Sequence, residues 1–386
     1  KSNKIFIENN LSPNRKQYQL WEGLDKFFLI AIIFLLFGGI LMLASASMPI
    51  ADRDLGEPYG YVYKQSFAIL LGLLSGLIFF YIPSFLLEKL GIILPIIAIF
   101  LLSMVYIPEI GIKVNGATRW INLGVGPNIQ VVDPARLLFL IYIAGYCYRQ
   151  QKELREGFLS LLKPMIFIFP ACILLLLQPD FGSTVVLLTV TAALFFLAGF
   201  KLRYFFLLII ILALLFSALV YFSPYKLARV VSFMDPWSMA DKGGYQLVNS
   251  LIAIGSGGFF GVGLGEGIQK LFYLPEAHTD FIFAIIAEEL GLMGTILFLS
   301  FYTLLISRIF IIAFKAITVD RLFQGYLCFS IGIWISIQVI INLGVNMGLL
   351  PTKGLILPLI SYGSSSMIMT LTTLAIVLRI GCEIPR

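Results

Sequence analysis

The sequence predicts an all-α, polytopic membrane protein with about ten transmembrane helices. Two observations favour this fold class. Hydrophobic residues make up 59% of the 386 residues and charged residues only 12%, whereas roughly 25% of the residues of a typical soluble domain are charged. In addition, apolar segments close to the length of about 20 residues that a spanning helix needs recur along the chain.

Ten apolar segments divide the chain into predicted spans and connecting loops. They predict a single membrane domain at 27–379, flanked by polar tails at 1–26 and 380–386. The segments at 135–148 and 163–178 are the shortest for a bilayer crossing. The predicted spans are 27–48, 66–83, 87–107, 135–148, 163–178, 183–200, 204–222, 281–306, 323–345 and 355–379.

Basic residues set the predicted orientation. An even number of spans places both termini on one side, and most of the 27 Lys and Arg residues fall in the short segments on that side. Because cytoplasmic loops are enriched in Lys and Arg, the sequence predicts an N-in, C-in topology. Two long loops, 108–134 and 223–280, then lie outside, and the larger one precedes the eighth helix. Its apolar run at 247–255 is typical of an interfacial or re-entrant helix.

Charge, cysteines and glycines exclude several classes of function. The net charge of +6 falls mainly on the predicted cytoplasmic face, where anionic lipids attract it, so no nucleic-acid partner is expected. The four cysteines lie in or beside spans, which argues against a disulfide framework, and one histidine is too few for a Cys/His zinc site. The glycine-rich run at 256–267 lacks the Lys-Ser/Thr pair of a P-loop and is expected to be a close-packed loop.

The segment 273–291, YLPEAHTDFIFAIIAEELG, is the most informative part of the chain. It carries the only histidine, His278, with Glu276 and Asp280, where the larger outer loop returns to the membrane. Polar side chains at this boundary can meet a substrate with a lipid tail and a polar head, so Glu276 and His278 are candidate substrate contacts. Two interpretations of Asp280 remain open. Either Thr279 or Asp280 caps the next helix, or Asp280 acts as a general base whose pKa is adjusted by partial desolvation.

Glu288 and Glu289 lie eight and nine residues beyond Asp280, about 12–14 Å further along a helix. Carboxylates inside a membrane are costly and usually face a cavity or a cationic partner. The sequence names no such partner, so a structural pairing and a cavity-lining role both remain open.

Further polar residues of the outer face form two groups. The block at 342–366 contains Lys353, a candidate phosphate or sugar contact, because a broken helix at this depth must line protein or water. Ser361 is a candidate substrate contact, although small residues in such a run more often permit close helix packing. Cations of the 113–136 loop suit an anionic diphosphate. The candidates in and beside this loop are Lys113 and Arg119 for the substrate, and Asp133, Arg136, Gln178 and Asp180 for structure or cavity lining.

Six sequence motifs occur in order along most of the chain. They are NGATRWINLG (115–124), QPDFGST (178–184), RVVSFMDPW (229–237), GYQLVNSL (244–251), YLPEAHTDFIFAIIAEELG (273–291) and the 342–366 block. With these motifs the chain resembles the SEDS family (shape, elongation, division, sporulation), the integral-membrane polymerases of bacterial peptidoglycan. The PEAHTD motif and the YIAGY tract resemble the division branch more than the elongation branch.

The resemblance implies a ten-helix fold and a glycosyltransferase that polymerises lipid II on the outer face of the bacterial cytoplasmic membrane during septal cell-wall synthesis. The essential aspartate of the family falls on Asp280. By similarity it deprotonates the GlcNAc 4-hydroxyl of the acceptor, which attacks C1 of the donor MurNAc. Undecaprenyl diphosphate leaves and the configuration inverts. Arg119 and Lys353 match basic positions of the family and are expected to bind the diphosphate or a sugar.

The resemblance also implies partners. These are lipid II, the growing glycan strand, a class B penicillin-binding transpeptidase of the division type and other membrane proteins of the divisome. A divalent cation, Mg²⁺ or Mn²⁺, could share the binding of the diphosphate, although the sequence shows no recognisable cluster of metal ligands.

Two positions depart from the family pattern. Residues 130–136 read QVVDPAR where the family usually has Gln-Pro-Ser/Ala-Glu-Leu-x-Lys, so charge is kept at Asp133 and Arg136 while the proline moves. Phe272 stands where division-type relatives often have an acidic residue. Two other functions remain open: a lipid II flippase, which the intramembrane glutamates could serve, and a non-catalytic scaffold of the divisome.

Overall fold

The computed structural model describes residues 23–114, 117–121, 128–156, 159–201, 210, 232–240, 243–351 and 354–384. The helices are α1 (Lys26–Leu55), α2 (Gly60–Tyr81), α3 (Ser84–Lys89), α4 (Ile93–Met104), α5 (Val132–Arg149), α6 (Gln151–Glu156), α7 (Leu159–Leu177), α8 (Phe181–Leu197), α9 (Tyr245–Ser256), α10 (Ile282–Thr318), α11 (Leu322–Asn346) and α12 (Ser364–Glu383). The strands are β1 (Gly111–Val114), β2 (Ala117–Ile121) and β3 (Ile129–Gln130).

The helices confirm the predicted class of polytopic, helical membrane protein. Within the described ranges, α1, α2, α7, α10, α11 and α12 are long and apolar enough to cross a membrane, and α4 and α8 are shorter apolar helices. A helix satisfies its backbone hydrogen bonds internally, as a lipid environment requires. Each predicted span in these ranges overlaps one helix or, at 87–107, two helices, whereas the span at 204–222, apart from residue 210, lies outside the described residues.

Some helix boundaries differ from the predicted ones. The single span predicted at 87–107 is divided into α3 and α4. The last helix begins at Ser364 rather than 355, because residues 354–363 form an irregular segment on the outer side of the bundle. The apolar run at 247–255 is helical, as α9.

A small antiparallel sheet lies in the first outer loop, and the all-α prediction did not include it. β2 is its central strand, with Trp120 opposite Ile112 of β1 and opposite Gln130 of β3. The Asn-Gly dipeptide at 115–116 is a sequence signal typical of hairpins and could have indicated it. The sheet carries Arg119 on β2, beside the start of α8.

Small residues allow the helices to approach closely. A Cβ atom on Gly72 of α2 would lie 3.1 Å from Cα of Ile368 in α12, and one on Gly76 would lie 3.2 Å from Cβ of Ala375. Such contacts are typical of helices in lipid, where the surrounding chains are as apolar as the helix surfaces.

The predicted cytoplasmic ends of α1 and α10 are joined by an ion pair. Asp25 is the N-cap of α1, where its carboxylate accepts a hydrogen bond from the backbone N–H of Phe28 at 3.1 Å. The same carboxylate accepts from Nε of Arg308, in α10, at 2.9 Å.

Candidate active site

Asp280 stands on a backbone that α11 holds in place. Its carbonyl oxygen accepts hydrogen bonds from Nδ2 of Asn342 at 2.9 Å and from Nδ2 of Asn346 at 3.0 Å. Oδ1 of Asn346 accepts from the backbone N–H of Ala284 at 3.2 Å. The two asparagines, one helical turn apart, therefore fix both Asp280 and the first turn of α10, while the Asp280 side chain remains partly exposed.

The irregular segment 354–363, called the outer strap below, lies along the residues that lead to Asp280. Oγ of Ser361 donates to the carbonyl of Thr279 at 2.6 Å, and the N–H of Tyr362 donates to the carbonyl of His278 at 3.0 Å. At the other end of the strap, a Cβ atom on Gly354 would lie only 2.7 Å from Oδ2 of Asp280. The strap therefore fixes the backbone on one side of the carboxylate and lies against the carboxylate itself.

The capping interpretation of this segment is wrong. The N-cap of α10 is Phe281, and no side chain accepts a capping hydrogen bond there. Oγ1 of Thr279 instead donates to Oε2 of Glu276 at 2.8 Å. The N-cap position therefore has no side-chain capping hydrogen bond, and the role of Asp280 as a general base stays a prediction.

Aromatic rings surround the single histidine. The ring of His278 lies 4.8 Å from that of Tyr61 and 5.8 Å from that of Tyr362, between ring centroids. Its side chain is buried, and Nδ1 has no hydrogen-bond partner among the described residues. Burial lowers the pKa of His278, while the charges of Glu276 and Asp54 act in the opposite direction. The imidazole is therefore neutral at neutral pH.

Ser361 also has a positioning role. It is buried, and its hydroxyl accepts a hydrogen bond from the N–H of Leu357 at 2.8 Å in addition to donating to Thr279. Its predicted contact with substrate stays a prediction, because these two backbone partners already account for the hydroxyl's position.

Glu288 and Glu289 are buried within α10 and have partners that the sequence did not name. Nζ of Lys270 lies 2.6 Å from Oε1 of Glu289, and the carboxylate of Glu288 accepts from the backbone N–H of Ile268 at 2.9 Å. Of the two roles that the sequence left open, these contacts support structural pairing.

Asp133 and Arg136 form a second buried polar group, on α5. Nη1 of Arg136 lies 3.6 Å from Oδ1 of Asp133, and the Arg136 guanidinium lies 5.3 Å from the ring centroid of Trp334. Asp180 is the N-cap of α8, where its carboxylate accepts from the N–H of Ser183 at 3.1 Å and from its hydroxyl at 2.8 Å. Nη2 of Arg136 also donates to Oγ of Ser183 at 3.4 Å, so these contacts join α5, α8 and α11, and none of them involves Asp280.

The predicted residues of the first outer loop have different surroundings. Arg119 donates from Nε to the carbonyl of Gln178 at 2.9 Å and from Nη2 to that of Pro179 at 2.6 Å. Nε2 of Gln178 donates to the carbonyl of Leu102 at 2.8 Å, so this side chain is structural. Lys113 is exposed on β1. Lys353 lies outside the described residues, immediately before Gly354 in the sequence.

A metal site is not evident in the part of the chain that the structure describes. No group of three or more His, Cys, Asp or Glu side chains there is placed to hold an ion. The divalent cation therefore stays a prediction.

Sequence reasoning missed several residues that build the site. Asn342 and Asn346 have a sequence signal, since two amides four residues apart on an apolar helix lie on one face. Lys270 is a lone cation between a glycine-rich run and an apolar one. Gly354 has no signal of its own, because only its position against Asp280 makes it important.

The comparisons with known proteins identify the family of the chain. A protein-family model named for FtsW, RodA and SpoVE, and described as cell cycle protein, matches residues 26–384. The chain belongs to the SEDS family. A probable peptidoglycan glycosyltransferase FtsW of Thioalkalivibrio sulfidiphilus is 46% identical over 367 residues, which cover 95% of this chain and 92% of that protein. A protein of the same name from Legionella pneumophila is 45% identical over 359 residues, which cover 93% and 91%.

Solved structures of the family share the fold. One solved chain belongs to a structure described as structural coordination of polymerization and crosslinking by a peptidoglycan synthase complex. It has a TM-score of 0.77 and 29% identity, and the match covers 93% of this chain and 98% of that one. The rod shape determining protein RodA of Thermus thermophilus has a TM-score of 0.68 and 27% identity, covering 94% and 98%. The higher identity to SEDS relatives named FtsW confirms the predicted resemblance to the division branch.

Proposed function

We propose that the chain is a peptidoglycan glycosyltransferase that polymerises lipid II on the outer face of the cytoplasmic membrane, at the division septum. The observation that carries this proposal is the placement of Asp280. Its carboxylate is partly exposed, while two asparagines and the outer strap hold its backbone. A general base needs such a fixed carboxylate within reach of the proton that it removes.

Asp280 accepts the proton in the proposed reaction. The 4-hydroxyl oxygen of the acceptor GlcNAc forms a bond to C1 of the donor MurNAc as its proton passes to the Asp280 carboxylate. The bond between C1 and the diphosphate oxygen breaks, and undecaprenyl diphosphate leaves with that electron pair. Because the diphosphate leaves as a stable anion, one base suffices for an inverting displacement.

Polar residues of the predicted outer loops supply the proposed substrate contacts. Lys353, which precedes Gly354 in the sequence, and Arg119 are proposed to bind the diphosphate or a sugar, since an Arg guanidinium can make bidentate contacts with phosphate oxygens. Glu276, His278 and Lys113 are proposed contacts for the polar head of lipid II. A divalent cation, Mg²⁺ or Mn²⁺, is proposed to share the binding of the diphosphate.

The partner follows from the same proposal. One structural relative is described as part of a peptidoglycan synthase complex that coordinates polymerization and crosslinking. By analogy, we propose a class B penicillin-binding transpeptidase as the partner of this chain, acting with other membrane proteins of the divisome.

The two rival functions have less support. The flippase hypothesis depended on Glu288 and Glu289 as carboxylates of a transport path, and both have structural partners. A non-catalytic scaffold would not need a partly exposed carboxylate whose backbone is fixed by two asparagines and the outer strap.

The test is glycan polymerisation from purified lipid II by the chain with its transpeptidase partner. Asp280→Asn keeps the shape of the side chain but cannot accept the proton, so kcat should fall about 10²- to 10⁴-fold. Glu109→Gln, which removes an exposed carboxylate from the first outer loop, is the matched control and should retain activity.

Other outcomes decide between the functions. Equal polymerisation by wild type and Asp280→Asn would remove Asp280 from the mechanism. If wild type and Asp280→Asn both translocate lipid II across vesicle membranes, and the intact complex makes no glycan, the flippase would be favoured. Neither activity from a folded, partner-bound wild type would favour the scaffold.

A further inference from the structure

The helix that follows Asp280 is broken. Gly291 of α10 has φ 64° and ψ −162°, which interrupts the helical hydrogen-bond ladder. The glycine-rich loop after α9 supplies replacement partners on both sides of the break. The N–H of Val262 donates to the carbonyl of Glu288 at 3.0 Å, and the N–H of Leu292 donates to the carbonyl of Gly258 at 3.0 Å. Residues 282–290 therefore form a short half-helix with Asp280 just before its first turn.

Glycine is required where this loop meets the half-helix. A Cβ atom on Gly257 would lie 1.9 Å from the carbonyl oxygen of Ala287, and one on Gly261 would lie 2.1 Å from that of Glu289. Both distances are far below any possible contact between a Cβ atom and a backbone oxygen. The glycine-rich motif is thus explained by close backbone packing against the half-helix.

A buried ionic group joins the loop, the half-helix and α1. We call it the Lys270 cluster, and its members are Ser45, Gly265, Lys270 and Glu289. Oε1 of Glu289 accepts from Nζ of Lys270 at 2.6 Å, and its Oε2 accepts from the N–H of Gly265 at 3.0 Å. Oγ of Ser45, in α1, lies 2.7 Å from Oε1 of Glu289.

Lys270 has no proton left for a ligand. An ammonium group has three N–H donors, and Lys270 has three acceptors: Oγ of Ser45 at 2.7 Å, the carbonyl of Gly265 at 2.6 Å and Oε1 of Glu289 at 2.6 Å. Lys270 and Glu289 are both buried. Removing either partner would leave the other as an unpaired buried charge, which is strongly unfavourable. The cluster is therefore a fixed attachment point.

The half-helix is thus held at both ends. Its first turn is held by Asn346 and its last turn by the Lys270 cluster. Glu289 lies nine residues beyond Asp280, a rise of about 13 Å along a helix. A change in tilt at the cluster would therefore move Asp280 relative to the outer strap.

We propose that Lys270 is a positioning residue for Asp280: through Glu289 it fixes the half-helix and so the place of the carboxylate in the reaction. This inference rests on the proposed function only where it is tested by kcat with lipid II. A second readout, the exchange rate of backbone amides at 276–284, reports how firmly the segment around Asp280 is held and needs no activity.

The test compares Lys270→Met with a matched control. Lys270→Met keeps most of the side-chain volume but removes the charge. The control, Asp25→Asn, weakens a different polar link between α1 and α10, the Asp25–Arg308 ion pair, while keeping a good helix N-cap. Each variant is assayed as the complex with its transpeptidase partner, for kcat and KM with lipid II, thermal midpoint and amide hydrogen exchange.

Lys270→Met should lower kcat about 10²-fold, because a displacement of about 1 Å at a reacting group has effects of that size. KM should change less than about twofold, since Lys270 does not contact substrate. Amide exchange at 276–284 should be faster. Asp25→Asn should lower the thermal midpoint but leave kcat and the exchange at 276–284 as in wild type.

If Lys270→Met does not fold, Ser45→Ala replaces it, since it keeps the ion pair but removes one hydrogen-bond partner from each charge. It should lower kcat about three- to tenfold and accelerate the same amides. The proposal is overturned if the folded variant keeps wild-type kcat, or if its activity falls without faster exchange at 276–284. If amide exchange at 276–284 is faster in the variant but the wild-type complex makes no glycan, the proposed function is refuted and the positioning role is supported.

Discussion

Gly354 is the position at which one added methyl group should separate catalysis from folding. A Cβ atom there would lie 2.7 Å from Oδ2 of Asp280, whereas ordinary van der Waals contacts begin near 3.4 Å. The change Gly354→Ala therefore requires the carboxylate to move by about 0.7 Å. The three atoms nearest to the added Cβ all belong to the Asp280 side chain.

The expected effects on stability and on rate are very different. The displaced atom is the end of a partly exposed side chain, which can rotate away at little cost to folding. A displacement of about 1 Å at a reacting group can lower the rate about 10²-fold. For about 0.7 Å we expect kcat to fall about 10- to 100-fold, which corresponds to about 1.4–2.7 kcal/mol in activation free energy.

The assay is polymerisation of lipid II by the partner-bound complex, with the thermal midpoint measured on the same preparation. Gly363→Ala, in the same strap, is the matched control. Its Cβ atom would lie 2.9 Å from Cδ1 of Ile356, also the end of a flexible side chain, and its φ of 170° suits any residue. The control should keep near wild-type kcat. Wild-type kcat in Gly354→Ala, or an equal loss in both variants, would refute the reasoning.

Four further predictions concern stability. Gly291→Ala should lower the free energy of unfolding by at least about 2 kcal/mol, because it combines a φ of 64° with a Cβ contact of 2.3 Å to backbone. Gly56→Ala, at φ 69° with no atom within 4 Å, should lower it by about 1 kcal/mol. Asn346→Ala should lower it by about 1–3 kcal/mol and reduce kcat, because it removes a buried partner of the Asp280 carbonyl. Since burial lowers the pKa of His278, the unfolded state binds more protons just below pH ~6.5. Wild type should therefore lose stability relative to His278→Gln as the pH falls through this value.

Thermal unfolding in detergent, followed between pH 5 and 8, checks the four predictions of stability. Polymerisation of lipid II by the partner-bound complex checks the kcat of Asn346→Ala. Equal losses in Gly291→Ala and Gly56→Ala would show that the backbone contact adds nothing to the strain. An unchanged kcat in Asn346→Ala would mean that Asn342 alone suffices to hold the Asp280 carbonyl. Parallel stability curves for wild type and His278→Gln would contradict the burial argument, because this chain has a single histidine.

The membrane class and the location of the site could be predicted from sequence because local composition decides them. A backbone in lipid must satisfy its own hydrogen bonds, so long apolar segments indicate helices wherever they occur. Asp280 stood out for the same reason, as a polar residue at a membrane boundary. The helix boundaries were less accurate where an irregular segment is itself apolar, as in the outer strap.

The contacts around Asp280 were decided only by the tertiary structure. Ser45 and Lys270 are 225 residues apart, and Ser361 and Thr279 are 82 apart. The helix surfaces that bring such residues together are alike in composition, so no periodicity indicates which of them meet. The sequence by itself determined which segments enter the membrane and which residues could do chemistry. Packing determined that Asn342, Asn346 and Gly354 contact Asp280 and that the Lys270 cluster holds the far end of the half-helix, because shape rather than hydrophobicity selects partners between apolar helices in lipid.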